Sequence, residues 1–436
     1  MLDGKNYIEE YGSFEKLVAG KEPDWLTEMR SNAIADFKGL GFPSTKEENW
    51  RYTNLKPFAE STFALANGSK DAAKIQAAIE RSMFNDLGGH IVVFVNGRFD
   101  ARLSKIGTLP DGVILTSLSA AIEKHPDLVQ QHLGKLSNTS EYPFQSLNAA
   151  FMGDGLFLHV ACDINFEQPV QVIHVYSTGG VESVSYPRNL LVMEENASAT
   201  VVETHIGASD EKYFTNTVTE TVCSTGSHLR HYKVLRDSKL AHHFLSSSLT
   251  MDKASELKSM TVVLGGRMVR NDQFAELQED DINCTLDGLY FIRGEQQVDN
   301  FTRVRHIGLD GNSRQVFKGI LDDNSRGVFD GRIFVNEGAQ KTDAVQTNRN
   351  LLLSDDAVAY AKPQLEIYAD DVKCTHAATT GQIDVDQLFY LQTRGFDKKT
   401  AQAILTYAFA GELIDTIEVD EVRVQLEQEL QDLLTV

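Results

Sequence analysis

Cys374 and His376 are the residues whose types and spacing most directly suggest chemistry. In an extended segment, residues two apart share one face. A thiolate and an imidazole would then stand side by side and could hold a soft or borderline metal such as iron or zinc. Two donors do not complete a site, so the rest would come from elsewhere in the chain or from a partner. The same spacing also fits a buried thiol beside a satisfied histidine. Other histidines are poorer candidates. His228 and His231 are three apart in a segment that reads as a strand, and His242 and His243 are adjacent, so each pair points to opposite faces. Asp-Asp pairs at 280/281, 322/323, 355/356 and 370/371 could bind a hard cation or divide acid and base roles. They mostly flank strand segments, where aspartates shape turns. The chain has no GxxxxGK[ST] loop, no GxGxxG after a strand, no GxSxG elbow and no HExxH helix.

Cys374 and His376 stand near the end of a long strand-rich stretch. From Gly155 to about Tyr368, segments such as LFLHVA, VQVIHVY, TVVETHI, LKSMTVVL and RIFVN follow one another, punctuated by Gly, Asn, Asp and Ser. Without crossover helices this is not a doubly wound α/β fold. Tandem sandwiches would need about 100 residues each, and no linker divides the stretch. A continuous β-solenoid, whose coils stack and extend one core, is favoured, although no strict repeat is visible. Helices are expected on both sides. Asp24 is placed as an N-cap, followed by Leu26, Met29, Ala33 and Phe37 at helical spacing, with Gly39, Gly41 and Pro43 as the stop. Ala72 to Met83 forms another helix, with Ile75, Ala78 and Ile79 on one face. IVVFV followed by Asn96-Gly97 predicts a hairpin near 90–105. After Thr380, Asp384 and Gln387 start a helix and Gly395 ends it. Asp397 caps a second helix, with Ala401, Ile404, Leu405 and Ala408 on one face; Val422, Leu426, Leu430 and Leu433 mark a third. The expected division is a helical region over 1–150 containing the hairpin, a core over 151–380 and a helical domain over 381–436. The last helices must bury their apolar faces in a domain of their own or in a partner groove.

Composition narrows the function. The 436 residues are 42% hydrophobic, enough for a large core, and carry a net charge of −21, which disfavours a nucleic-acid partner. From Gly411 to Val436 eight acids face one base, Arg423. That run is a solvated helix face or a docking surface for a basic partner. The four cysteines are far apart and form no CxxC, the usage of a reducing compartment. MLDGKNYIEE lacks the basic and apolar runs of a signal peptide. No apolar run approaches the roughly 18 residues of a membrane span. A cytoplasmic protein is expected, with no membrane partner.

The run KPQLEIYADDVKCTHAATTG, residues 362–381, closely resembles the most recognisable segment of the SufB/SufD family of the SUF iron–sulfur cluster assembly system. QLFYLQTRGFDKKTAQAILTYAFAGEL (387–413), FDGRIFVN (329–336), QTNRNLLL (346–353) and TKEENWRYTNL (45–55) continue the likeness. The resemblance implies a mainly β fold: a right-handed parallel β-helix core flanked by N-terminal and C-terminal helical regions. Two departures resemble the SufD branch. The stretch Ser354 to Tyr360 lacks the cysteine that SufB proteins carry there, and Ala377 stands where SufB has a glutamate. The resemblance further implies pairing with SufB through the β-helices and binding of the ATPase SufC through the C-terminal helices. Leu388, Tyr390, Leu391, Arg394, Ile404, Tyr407 and Phe409 are the expected SufC contacts. It implies His376, with Cys374 as a weaker companion, at the SufB interface where a cluster forms. The chain is expected to be a scaffold and not an enzyme, with no catalytic residue and no cofactor held stably by itself, only transient iron or an iron–sulfur cluster at that interface. A homodimer is expected for the isolated chain, because the unpaired surface would otherwise expose strand edges and apolar area. The alternatives are a structural stabiliser that never touches the cluster and a polysaccharide-acting β-helix enzyme.

Overall fold

A computed structural model describes residues 4–66 and 71–435 of the protein. The opening Met1–Asp3 of the run read for a signal peptide, and Val436, lie outside the described residues. The chain is mainly β, with a parallel solenoid flanked by helices, as the sequence led us to expect. Among the described residues, strands from Ser198–Gly207 onward alternate between an 11-stranded and a 10-stranded sheet, and each except the last two pairs with the strand one coil earlier and one coil later. The strand Asn312–Leu321, for example, pairs in parallel along its whole length with Asn283–Ile292 on one side and Asp343–Leu352 on the other. Each coil covers the edge of the last, so backbone donors and acceptors are satisfied from coil to coil.

Turns between strands use residues that tolerate positive φ. Asp281 and Asp323 take left-handed φ values of 61° and 54°. Asp280 Oδ1 accepts from Leu309 N at 2.7 Å, and Asp323 Oδ2 accepts from Gly294 N at 2.9 Å, each tying one coil to the next. These Asp-Asp pairs therefore shape turns. At the other end Asn96 (φ 50°) and Gly97 (φ 74°) turn His90–Val95 back onto Arg98–Phe99 as an antiparallel hairpin. His90–Val95 also pairs in parallel with Val170–Tyr176, so this hairpin strand extends the 10-stranded sheet.

Helices roof both outer walls. On the 11-stranded sheet, Trp50, Phe58 and Phe144 pack on Phe214, Phe244 and Met268. On the other sheet, Ala410, Leu413, Ile414, Ile417, Val422, Leu426 and Leu430 pack on Tyr232, Val234, Met260, Val262, Leu289, Phe291 and Ile320. Burying one such Leu or Ile side chain contributes about 1.5–3 kcal/mol, so the last helices have found their apolar partner in the solenoid itself.

That docking changes two readings. The helix Lys398–Ile414 buries Ala401, Thr406, Ala410, Leu413 and Ile414, while Ile404 and Ala408 are exposed and Leu405 is half-buried. Contact with the solenoid at its C-terminal half fixes the helix rotation, so Ile404 and Ala408 of the face chosen by spacing turn outward while Ala401 stays buried. Three of the eight acids in the tail run turn to the solenoid, while Asp415, Asp420, Glu421 and Asp432 stay exposed. Glu412 pairs with Lys318 and Arg349, Glu418 with Arg230 and Lys258, and Glu429 with Arg236, all on the solenoid wall. At the N-terminus, the helix Asp24–Leu40 begins at Asp24 itself; Pro23 holds the cap position, and Asp24 sits in the first turn, where the helix dipole favours an acid. Asp384 and Asp397 do cap their helices, accepting from Gln387 N and Thr400 N at 3.1 and 2.9 Å.

Asp287 lies beneath the C-terminal roof, 4% exposed, and accepts from Val316 N at 3.1 Å. Burial pushes its carboxyl up to about 7, with the Val316 hydrogen bond and Lys258 pulling partly back. The folded chain thus holds this proton more tightly than the unfolded chain, so stability falls as pH rises from the ordinary carboxylate range to about 7. Asp287→Asn keeps the acceptor and removes the charge. Its melting temperature should exceed that of the parent near pH 8 and match it near pH 4; a pH series of thermal melts checks this.

Candidate functional site

Cys374 and His376 sit on Lys373–Gln382, the last strand of the 10-stranded sheet. This strand pairs with Asp343–Leu352, placing Cys374 beside Ala344 and His376 beside Gln346. Strand alternation puts both on the inner face of the coil. Cys374 packs against the cluster of Ile333, Val335 and Ala339, and burial raises its thiol above the usual range. A protonated thiol is a poor metal donor. His376 is exposed, because no described coil stacks beyond this strand. From Thr375 to Gln382 every residue of the strand is exposed. The solenoid therefore ends in an open coil with an imidazole at its rim.

Below that rim the lumen is polar. Gln346 is fully buried, its Nε2 donates to Gln315 Oε1 at 3.3 Å, and its Oε1 lacks a partner. Thr302 donates to Gln315 at 2.6 Å, and Tyr290 donates to Asn350 at 2.7 Å. Among the described residues, no third His, Cys, Asp or Glu donor joins Cys374 and His376. Two of the other histidines in the sequence reading have internal partners: His231 contacts Glu203 at 2.9 Å, and His243 contacts Asp237 at 2.8 Å. His228 faces outward on its strand, and His242 stacks near Phe58.

The helix Val385–Thr393 follows the last strand almost directly and buries none of its residues. Val385, Phe389 and Tyr390 are 73%, 67% and 55% exposed, and of the three Tyr390 takes the Arg394 guanidinium over its ring at 5.0 Å. Of the seven expected ATPase contacts, Tyr390, Arg394 and Ile404 are exposed, and Leu388 and Leu391 are half-buried. Tyr407 and Phe409 instead lean into the cluster beneath the C-terminal roof, where Lys318 donates to the Phe409 carbonyl at 2.7 Å. Val385, Phe389 and Phe396, which the sequence reading did not single out, are exposed as well. The i, i+4 pairing of Val385 with Phe389 was the available signal.

The N-terminal signature fastens the neighbouring strand. Tyr52 stacks on Tyr360 at 4.2 Å, Glu48 pairs with Lys362, and Thr53 hydrogen-bonds to Asp299. Trp50 packs on Phe144 and takes the Arg270 guanidinium over its ring at 4.0 Å. The segment 48–53 thus clamps several coils from outside, including the one that ends beside His376. No helix among the described residues is long and apolar enough to cross a membrane.

Known proteins resemble the chain along most of its length. The family described as SUF system FeS cluster assembly, SufBD core domain, matches residues 175–409. The SufBD protein N-terminal region matches residues 1–172. An iron–sulfur cluster assembly SufBD family protein of Synechocystis sp. is 29% identical over 422 residues, covering 95% of this chain and 92% of that protein. The iron–sulfur cluster assembly protein SufD of Escherichia coli is 31% identical over 388 residues, 88% of each chain. SufD of Bacillus subtilis is 27% identical over 421 residues, 93% of each.

Proposed function

This chain belongs to the SufBD family of iron–sulfur cluster assembly proteins, and from that membership we propose that it fills the SufD place in a scaffold with SufB and the ATPase SufC. The observation that carries the reading is an incomplete site on an open coil. His376 and Cys374 supply two donors at the end of the solenoid, with no third donor from the described chain. A facing SufB coil would cover the exposed strand and bring the missing ligands. Neutral imidazole can bind iron through one ring nitrogen and keep the other for an orienting hydrogen bond. The partnerless Gln346 oxygen, one coil below, stands in the neighbouring register position. The nascent cluster is the cargo of this site and not a resident cofactor.

The ATPase is proposed to cover Val385, Phe389, Tyr390 and Ile404. Only two residues separate that helix from the strand carrying His376, so motion of the ATPase would reach the rim of the coil. The N-terminal clamp on Tyr360 and Lys362 would resist that motion and keep the neighbouring strand in place. An isolated chain is proposed to pair with itself through the same open coil.

Co-expression with SufB and SufC, pull-down of this chain and sizing of the eluate tests the reading. A stable three-protein complex is expected; elution of this chain alone would sink it. Removing the C-terminal helices wholesale is a poor probe, because it would strip the roof from one sheet. Phe389→Asp with Tyr390→Asp leaves the roof intact. Loss of an interface anchor costs at least about 2 kcal/mol, so SufC should be lost from the eluate while SufB is retained. Retention of SufC at unchanged affinity would overturn the assignment of this surface.

A further inference from the structure

The lumen of the solenoid near its N-terminal end holds a buried cluster that the C-terminal coil does not use. Glu203 and His205, two apart on one strand, point inward together. His174 lies beside His205 in register on the neighbouring strand, one coil earlier. All three are buried. His205 Nε2 is 2.9 Å and His174 Nε2 is 3.3 Å from the same oxygen, Glu203 Oε1. The donor atoms of the three residues all lie within 4.8 Å of one another. His231 Nε2 contacts the other carboxylate oxygen at 2.9 Å, and Asn189 donates to Oε1 at 3.0 Å.

His174 is the anomaly. It is 0% exposed and stacks against Phe94 at 4.9 Å and His205 at 4.5 Å. Among the described residues its Nδ1 has no hydrogen-bond partner, and its Nε2 reaches only Glu203 Oε1, at 3.3 Å and poorly aligned. A buried imidazole with one nitrogen unpaired and the other poorly paired is costly. Lys233 is a cation whose charge is felt at the carboxylate, but the two form no direct ion pair among the described residues. It is the register partner of Glu203, but the ammonium turns to Ser247 at 2.9 Å. Tyr176 meets His205 Nδ1 at 2.8 Å and so holds Nε2 toward the carboxylate. Such a hydrogen bond on the far nitrogen orients imidazoles that bind metals.

We propose that His174, Glu203 and His205 bind one divalent first-row transition metal ion inside the solenoid, at a site separate from the C-terminal coil. Two imidazoles and a carboxylate, with no thiolate, suit zinc(II) or iron(II). His231, Asn189 and Tyr176 orient the donors. The ion would give His174 a well-aligned partner and Glu203 a direct counter-charge, and it would link two neighbouring coils. This site stands independently of the partner assignments made above.

The test uses the full chain carrying Cys374→Ser and His376→Ala, so that the open coil contributes no metal. It is expressed with zinc(II) or, anaerobically, with iron(II), washed with chelator and analysed for metal by mass spectrometry. About one ion per chain is expected, together with a melting temperature that rises with metal content. The ion retained tells zinc from iron, and retention of either supports the site. His174→Leu suits the apolar contact with Phe94 and should fold, while retaining less than about a tenth of the metal. No retained metal from either ion, or unchanged retention in His174→Leu, overturns the proposal. If His174→Leu does not fold, cobalt(II) in the parent decides. Ligand-field bands of a low-coordinate nitrogen and oxygen site support the proposal, and their absence overturns it.

Discussion

His376→Ala should leave the chain folded and paired with its partners while cluster yield on the complex falls at least about tenfold, since even losing a group that only orients a ligand costs 10–100-fold in metal affinity. The side chain is exposed and makes no hydrogen bond among the described residues, so its removal opens no cavity and leaves no buried group unpaired. What it removes is the better of the two donors at the rim. Cys374 is the weaker donor, because burial raises its thiol above the usual range. Cys374→Ser should therefore lower yield less than His376→Ala. The measurement is reconstitution of iron and sulfide on the purified complex, read by absorbance and by iron content, beside sizing that shows the complex intact. Normal yield from intact His376→Ala complex would favour the reading in which this chain only stabilises the assembly.

The largest effect on folding is expected at a buried ion pair. Arg188 and Glu220 are both fully buried and meet at 2.6 Å. Glu220 also accepts from the backbone of Gly134, Leu136 and Ser137 at 2.8, 2.9 and 3.2 Å, which ties the loop before the helix Pro143–Phe151 to the solenoid wall. Arg188 donates further to Asn148 and Ser137. Glu220→Ala leaves a buried guanidinium without its counter-charge and three backbone donors without their acceptor. Breaking a buried pair from one side costs about 3–5 kcal/mol, so the variant should lose that much in urea unfolding. Replacing both partners, as Arg188→Met with Glu220→Leu, removes the stranded charge. It should cost less than the single change, although the three backbone donors stay unpaired. A single-variant loss under about 1 kcal/mol would mean that water reaches the pair.

The sequence by itself determined the class of the fold, its strands, the aspartate turns and the residue at the rim of the last coil. Those features are local. β-branched runs broken by Asp, Asn and Gly dictate strands and turns wherever they occur, and two-residue spacing puts Cys374 and His376 on one face whatever lies around them. The family likeness rested on contiguous segments for the same reason. Tertiary structure decided the rest, because it depends on which coil lies beside which. The face of Lys398–Ile414 that turns inward is chosen by the solenoid wall, so Ile404 and Ala408 face out where helical spacing had put them with the buried residues. Three acids of the tail looked unpartnered because Lys318, Arg230, Lys258 and Arg236 are far away in sequence. Glu203 and His205 have the same two-residue spacing as Cys374 and His376, yet nothing marked them. Their third member, His174, comes from the preceding coil, and only the register between coils brings a second imidazole to the same carboxylate oxygen.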